Sequence, residues 1–194
     1  PIKSEANSNW AAQPYFMCEY DHAMGNSLGN LQEYWDVIES SKYGIGGCVW
    51  DWVDQAIVSA DDIKAGNLTQ NGFNKYRTGY DWPDAPHQGN FVNNGIIGAD
   101  RAWSAKLDEL KKVYQYIKFA YKADKNSVGL KNCYDFTTLG SGYTLNAQIL
   151  VDGKQVVKGS TTLPTIAPAD SIGVAVPVNY DLTEAKAQGK EILL

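Results

Sequence analysis

A chain of 194 residues can hold one ordinary domain or two small ones, and it is shorter than a complete α/β barrel, which takes about 250 residues. Hydrophobic residues at 44% and charged residues at 20% predict a packed core and exclude a disordered chain. The net charge of −5, with 17 Lys and Arg scattered along the sequence, excludes nucleic acid as a partner, and no apolar run approaches the roughly 18 residues of a membrane span.

The opening, Pro1-Ile2-Lys3-Ser4-Glu5, has neither Met nor a charged-then-apolar leader and reads as a processed or excised piece. Pro14 to Tyr20, PYFMCEY, predicts a strand buried on both faces with Glu19 near its carboxyl end. The Gly-rich turn HAMGNSLGN follows, with Asn26 or Ser27 placed to cap a helix. Leu28, Leu31, Trp35 and Ile38 then recur at helical spacing as far as about Ser41. Gly46-Gly47-Cys48-Val49-Trp50 reads as a second buried strand, so the three elements form a βαβ unit with parallel strands and a right-handed crossover.

From about Val58 to Asn90 periodicity disappears, and Phe73, Tyr76, Tyr80 and Trp82 mark the stretch as an ordered functional loop. Leu107, Leu110, Val113, Tyr114 and Ile117 predict a helix that starts near Ser104 or Ala105, with Asp108 spaced to pair with Lys112. After Tyr121 the pattern alternates. Strands are expected near Val128–Phe136, Tyr143–Val151, Lys154–Leu163 and Ile172–Val178, with a hairpin turn at Asp152-Gly153. Four or five strands fit after Tyr121, fewer than the seven of a complete immunoglobulin-like sandwich. The expected division is therefore 1–120 as α/β and 121–194 as all-β.

Three widely spaced cysteines exclude a disulfide framework and a cysteine-rich zinc site. Cys18 and Cys48, in apolar runs, read as buried small hydrophobes. Two histidines without metal-ligand spacing, and no Gly-x-Ser-x-Gly elbow, leave carboxylates as the candidate chemistry. Glu19, beside Tyr20, Asp21 and His22, is either a strand-terminal acid in solvent or a catalytic group presented at a strand's carboxyl end. Trp50 ends the neighbouring strand, and an acid beside an aromatic platform suits a glycosidase. Asp51, Asp54, Asp81 and Asp84 read as loop caps and solvated turn residues, the alternative being that one of them serves as a second carboxylate. The 12% aromatic content, with 6 Trp and 12 Tyr, serves either the core or flat sugar-binding faces.

The segments PYFMCEYDHAMGNSLGNLQEYW, GGCVWDWVDQA and NFVNNGIIGADR closely resemble the end of the catalytic domain of glycoside hydrolase family 2 β-galactosidases. The resemblance implies a partial (β/α)8 (TIM) barrel over 1–120 and an incomplete immunoglobulin-like β-sandwich over 121–194. It implies Glu19 as the catalytic nucleophile, His22 lining the galactose subsite, Trp50 as its floor, and Phe91 and Asn94 at a bound sodium ion and a sugar hydroxyl. The HAMGNS and WDWVDQ segments favour a β-galactosidase over a β-glucuronidase or β-mannosidase. The family also uses magnesium, whose ligands are expected outside this chain, and an acid in an Asn-Glu pair, a dipeptide that does not occur here.

Two features depart from the pattern. Asp21 stands where Ala is usual, and RAWSAKL replaces an Arg-x-Pro-His-Pro run before the closing helix. The first is expected to alter charge near the nucleophile, the second to affect the helix and not the chemistry. The expected protein is thus a fragment of a retaining exo-β-galactosidase, with the nucleophile but not the acid, and inactive alone. A β-galactoside would be its substrate, and exposed strand edges would favour a homo-oligomer or contact with the rest of the parent chain. The competing readings are a non-catalytic carbohydrate-binding module and a structural module.

Overall fold

A computed structural model describes residues 13–57, 60–64, 76–122 and 125–194. The opening segment and Phe73 lie outside them. The chain divides into two compact units, Pro1–Tyr114 and Gln115–Leu194.

In the first unit, strand β1 (Tyr15–Tyr20), helix α1 (Leu31–Ser40) and strand β2 (Gly44–Val49) form the expected β-helix-β sequence, with β1 and β2 parallel. A short helix α2 (Ala60–Lys64), two 3-10 turns (Gly79–Asp81 and Gly89–Val92) and helix α3 (Ala105–Val113) follow. Leu31 of α1 and Leu110 and Val113 of α3 pack with Tyr20, Ala23 and Ile96, and Met17, Trp35 and Val49 close around them. Both helices thus cover one face of the sheet.

The other face overturns an expectation, because Phe16, Cys18, Glu19, Ile45 and Cys48 are all exposed on it. An apolar run identifies a strand but not what covers each of its faces. Among the described residues no second layer lies over this face, so β1 is buried on one face only, and Cys18 and Cys48 are not buried hydrophobes.

Two helix boundaries also differ from the sequence reading. Helix α1 begins at Leu31 after Asn30 in left-handed conformation (φ 61), and Ser27 instead turns back to donate to the Met24 carbonyl at 2.9 Å. Helix α3 ends at Val113, and Ile117 starts a strand. Asp108 accepts a hydrogen bond from Trp103 Nε1 at 2.9 Å, an aromatic N–H presented five residues before it. Within the unpatterned stretch, Ile57 and Arg77 exchange two backbone hydrogen bonds, and Thr78 and Asp81 form a reciprocal cap.

A third extended segment continues the parallel ladder. Ile96 N–H donates to the Asp51 carbonyl at 2.8 Å, Ile97 N–H to Trp52 at 3.2 Å, and Asp54 N–H to Ile97 at 3.0 Å. Val53 and Ile97 form a parallel bridge. Three chain segments therefore end side by side.

The second unit contains six strands among its described residues: β3 (Ile117–Lys122), β4 (Ser127–Asn132), β5 (Thr144–Val151), β6 (Lys154–Thr162), β7 (Ser171–Ala175) and β8 (Ile192–Leu193). They form two antiparallel sheets, ordered β3-β4-β7 and β6-β5-β8. Leu130 of β4 packs with Leu139, Leu163 and Ile166, joined by Leu145 of β5 and Val174 of β7, so both sheets contribute to one core. A short helix α4 (Thr183–Ala187) precedes β8.

Candidate functional site

The placement of Glu19 comes from an irregularity in β1. Met17 pairs with Gly47 and Tyr20 with Val49, so Cys18 and Glu19 together stand opposite Cys48. Strict alternation would send Glu19 to the same face as Met17, into the helix-covered core. The bulge keeps Cys18 and Glu19 exposed and returns Tyr20 to the core. Such insertions re-aim side chains at strand ends. Tyr20 is then anchored from below: its hydroxyl meets Tyr114 Oη at 2.5 Å and accepts from Trp35 Nε1 at 2.8 Å. Burial, chiefly, pushes this phenol above its ordinary range.

The ends of the three segments are stitched by main-chain hydrogen bonds. Trp50 N–H donates to the Tyr20 carbonyl at 3.0 Å, and Ala23 N–H donates to the Trp50 carbonyl at 2.6 Å. Asp51 N–H donates to the Asn94 carbonyl at 2.7 Å. The turn carrying His22, the strand end carrying Trp50 and the segment carrying Asn94 are thereby held together, with Glu19 directly before the first of these bonds. Trp50, 39% exposed, presents an aromatic surface, and its peptide bond to Asp51 is cis. The His22 and Phe91 rings meet edge to face, with centroids 6.0 Å apart.

Asn94 is buried, and its Oδ1 has no hydrogen-bond partner among the described residues. A buried acceptor without a donor is costly. It fits either a sugar hydroxyl or a hard cation that takes oxygen ligands. For sodium, this orphaned oxygen is therefore compatible. For magnesium, the described residues bring together no group of three or more His, Cys, Asp or Glu side chains, and no chemical step is assigned to that ion.

Asp21 has a left-handed backbone (φ 48), and its Oδ1 accepts from Gly29 N–H at 3.3 Å, closing the turn that carries His22. Its Oδ2 is buried without a partner among the described residues, and this burial raises the carboxyl above its ordinary value. Asp51 caps the next turn, accepting from Trp52 N–H and Gln55 Nε2, both at 2.5 Å.

Asp54 is not a solvated turn residue. It is 8% exposed, and its Oδ1 accepts from Gly95 N–H at 2.7 Å. Burial raises its carboxyl, while the Gly95 hydrogen bond and Lys106 oppose the rise. Lys106 itself went unnoticed in the sequence. Its ammonium donates to the carbonyls of Ala23 and, at 3.1 Å, Gly95. Burial lowers its pKa, against the attraction of Asp54. The available signal was its position: Lys106, Leu110 and Val113 share the buried stripe of α3, where a lysine needs a partner.

Asp54, Gly95 and Lys106 themselves line a cleft of about 920 Å³, together with Tyr76, Asp100 and Trp103 among others. It contains none of Glu19, His22, Trp50, Phe91 or Asn94. The exposed Glu19 carboxylate, the exposed Trp50 indole and the orphaned Asn94 amide oxygen lie outside this cleft, at the strand ends.

Residues 2–119 match the family described as glycosyl hydrolases family 2, TIM barrel domain, and residues 128–194 match the description "Beta-galactosidase, domain 4". Over 183 residues the chain is 34% identical to a β-galactosidase of Priestia megaterium, covering 94% of this chain and 16% of that protein. A β-galactosidase of Streptococcus thermophilus is 40% identical over 77% of this chain and 13% of its own length. One from Lactobacillus delbrueckii subsp. bulgaricus is 35% identical over 91% of this chain and 16% of its own length. The chain thus spans about a sixth or less of the length of these relatives. With a family match over more than half its residues, in the segment that holds the three strand ends, the chain belongs to glycosyl hydrolase family 2.

Proposed function

We propose that this chain is the nucleophile-bearing segment of a retaining exo-β-galactosidase, comprising the last part of a (β/α)8 barrel and an incomplete immunoglobulin-like β-sandwich. The observation that carries this reading is the bulge in β1, which turns Glu19 out of the core at the strand end stitched to Trp50. In this reading the Glu19 carboxylate attacks the anomeric carbon of a terminal β-galactosyl residue as the glycosidic C–O bond breaks and the general acid protonates the departing aglycone oxygen. Water, deprotonated by that same acid/base group, then hydrolyses the covalent glycosyl-enzyme and frees Glu19. Trp50 supports the apolar face of the sugar ring, while His22 and the Asn94 amide contact its hydroxyls.

Phe91 and Asn94 would hold a sodium ion, which when bound supplies positive charge for a sugar hydroxyl. The general acid, a second carboxyl about 5–5.5 Å from the nucleophile, would come from another part of the complete polypeptide, since no Asn-Glu pair occurs in this sequence. The 194-residue chain alone is therefore expected to leave aryl β-galactosides intact.

In the complete polypeptide, Glu19→Gln is expected to lower kcat on an aryl β-galactoside by on the order of 10⁴-fold or more, with galactose binding by calorimetry retained. Turnover within tenfold of wild type would defeat the assignment. Turnover by the 194-residue chain that Glu19→Gln abolishes would show that the acid is local. If galactose binds the chain tightly and Glu19→Ala leaves turnover of the complete enzyme intact, the site is a binding module.

A further inference from the structure

Two polar groups below the strand ends, Lys106 and Asp54, have no part in the reaction just described, yet their partners are all main-chain atoms beside its residues. Lys106 Nζ reaches from α3 to the carbonyl of Ala23, next to His22, and to the carbonyl of Gly95, next to Asn94. Asp54 holds the N–H of the same Gly95 at 2.7 Å. The Gly95 residue is thus gripped on both its N–H and its C=O. Ala23 and Asn94 carry the grip onward, because Ala23 N–H bonds to Trp50 and the Asn94 carbonyl accepts from Asp51.

We infer that Lys106 is a positioning residue for the site, and that with Asp54 it fixes the His22 turn and the Asn94 segment relative to Trp50. This rests on the proposed galactoside-binding role of His22, Trp50 and Asn94. A merely structural lysine would fill space or pair with a surface acid. Lys106 instead bridges two carbonyls from different segments, 83 and 11 residues away in sequence. Each carbonyl belongs to a residue adjacent to a candidate sugar contact. Lys106 is half-buried, and the attraction of the buried Asp54 beside it opposes the cost of drawing its ammonium partly out of water. A site held by locked partners orients its substrate, and a displacement of about 1 Å can cost about 10²-fold in rate.

The test uses the complete polypeptide and p-nitrophenyl β-galactoside, with rates normalised to folded protein. Lys106→Met is expected to raise KM and to lower kcat/KM by about 10²-fold. Lys106→Arg, which keeps a charged donor able to reach both carbonyls, is expected to restore most of that loss. Leu110→Ala, in the core on the same helix, serves as the structural control: it should lower the melting temperature without changing KM. Should Lys106→Met fail to fold, Lys106→Met with Asp54→Asn removes the unpaired buried charge while leaving the carbonyls ungripped, and KM should still rise. Wild-type KM and kcat/KM in folded Lys106→Met or in the double variant would overturn the inference. Activity retained in Glu19→Gln would instead overturn the site assignment on which it rests.

Discussion

The two units of this chain solve the problem of specifying a structure in different ways. In the second, neighbours in sequence are mostly neighbours in space: β3 pairs with β4 and β5 with β6. The β5–β6 turn uses Asp152 (φ 47) and Gly153 (φ 73), the left-handed pair that a two-residue hairpin requires. In the first, the decisive contacts join segments far apart. Asp54 bonds to Gly95 and Lys106 to Ala23, and the Glu19 carboxylate is aimed by a bulge. Local patterning builds a scaffold, whereas a site at converging strand ends depends on non-local polar contacts with little periodicity.

The sharpest way to break this contrast is at Gly95. A Cβ there would stand 2.1 Å from the Asp54 nitrogen and 2.5 Å from the Ile97 carbonyl oxygen, neither able to yield without moving a strand end. Gly95→Ala is expected to destabilise the first unit by about 3 kcal/mol or more. All six tryptophans lie before residue 104, so denaturation followed by Trp emission reads this unit, and hydrogen exchange in β4 and β5 reads the other. Exchange protection in β4 and β5 should survive.

Leu130→Ala should do the reverse. It empties a position that is 1% exposed in the second unit's core and is expected to cost about 3 kcal/mol there, with the Trp transition unmoved. A smaller effect, about 1 kcal/mol, is expected from Gly153→Ala, which places a side chain at φ 73 in an otherwise open turn.

The smallest expected effect is on acid dependence, and its sign differs between the units. Burial raises Asp21 and Asp54 above the ordinary 3.8. Their stabilising contribution is present below that value and is lost as pH rises through their raised folded values. Asp181 in the second unit is lowered by its hydrogen bonds to Thr183. Its contribution is present above 3.8 and is lost as pH falls through its lowered folded value. Denaturation midpoints across this range should show Asp21→Asn flattening the first unit's loss on the alkaline side, with the second unit unchanged.

What the sequence disclosed follows the same contrast. The strand-helix-strand order, the Asp152-Gly153 hairpin and the strands from β4 to β7 were legible because period and turn chemistry are local properties. The exposed face of β1 and β2 was not, since an apolar run does not say what covers it. The left-handed Asn30 delayed the start of α1 beyond Ser27, and the early end of α3 moved Ile117 into a strand. For the site, Glu19 and Trp50 stand out from their strand-end positions and His22, Phe91 and Asn94 from motif resemblance alone, and the structure brings His22 to Phe91 and ties the Trp50 and Asn94 segments together. Asp54 read as a turn acid because its partner, Gly95, lies 41 residues away. Lys106 belongs to no motif, and only its place on the stripe of Leu110 and Val113 marks it.

The central claim is that Glu19 forms the covalent bond to sugar. It is tested most directly by quenching the complete enzyme in acid during turnover of an aryl β-galactoside and locating the hexosyl adduct by peptide mass spectrometry. The account predicts the adduct on the peptide that contains Glu19, and its absence in Glu19→Gln. An adduct on another carboxylate, with the Glu19 peptide unmodified, would contradict it.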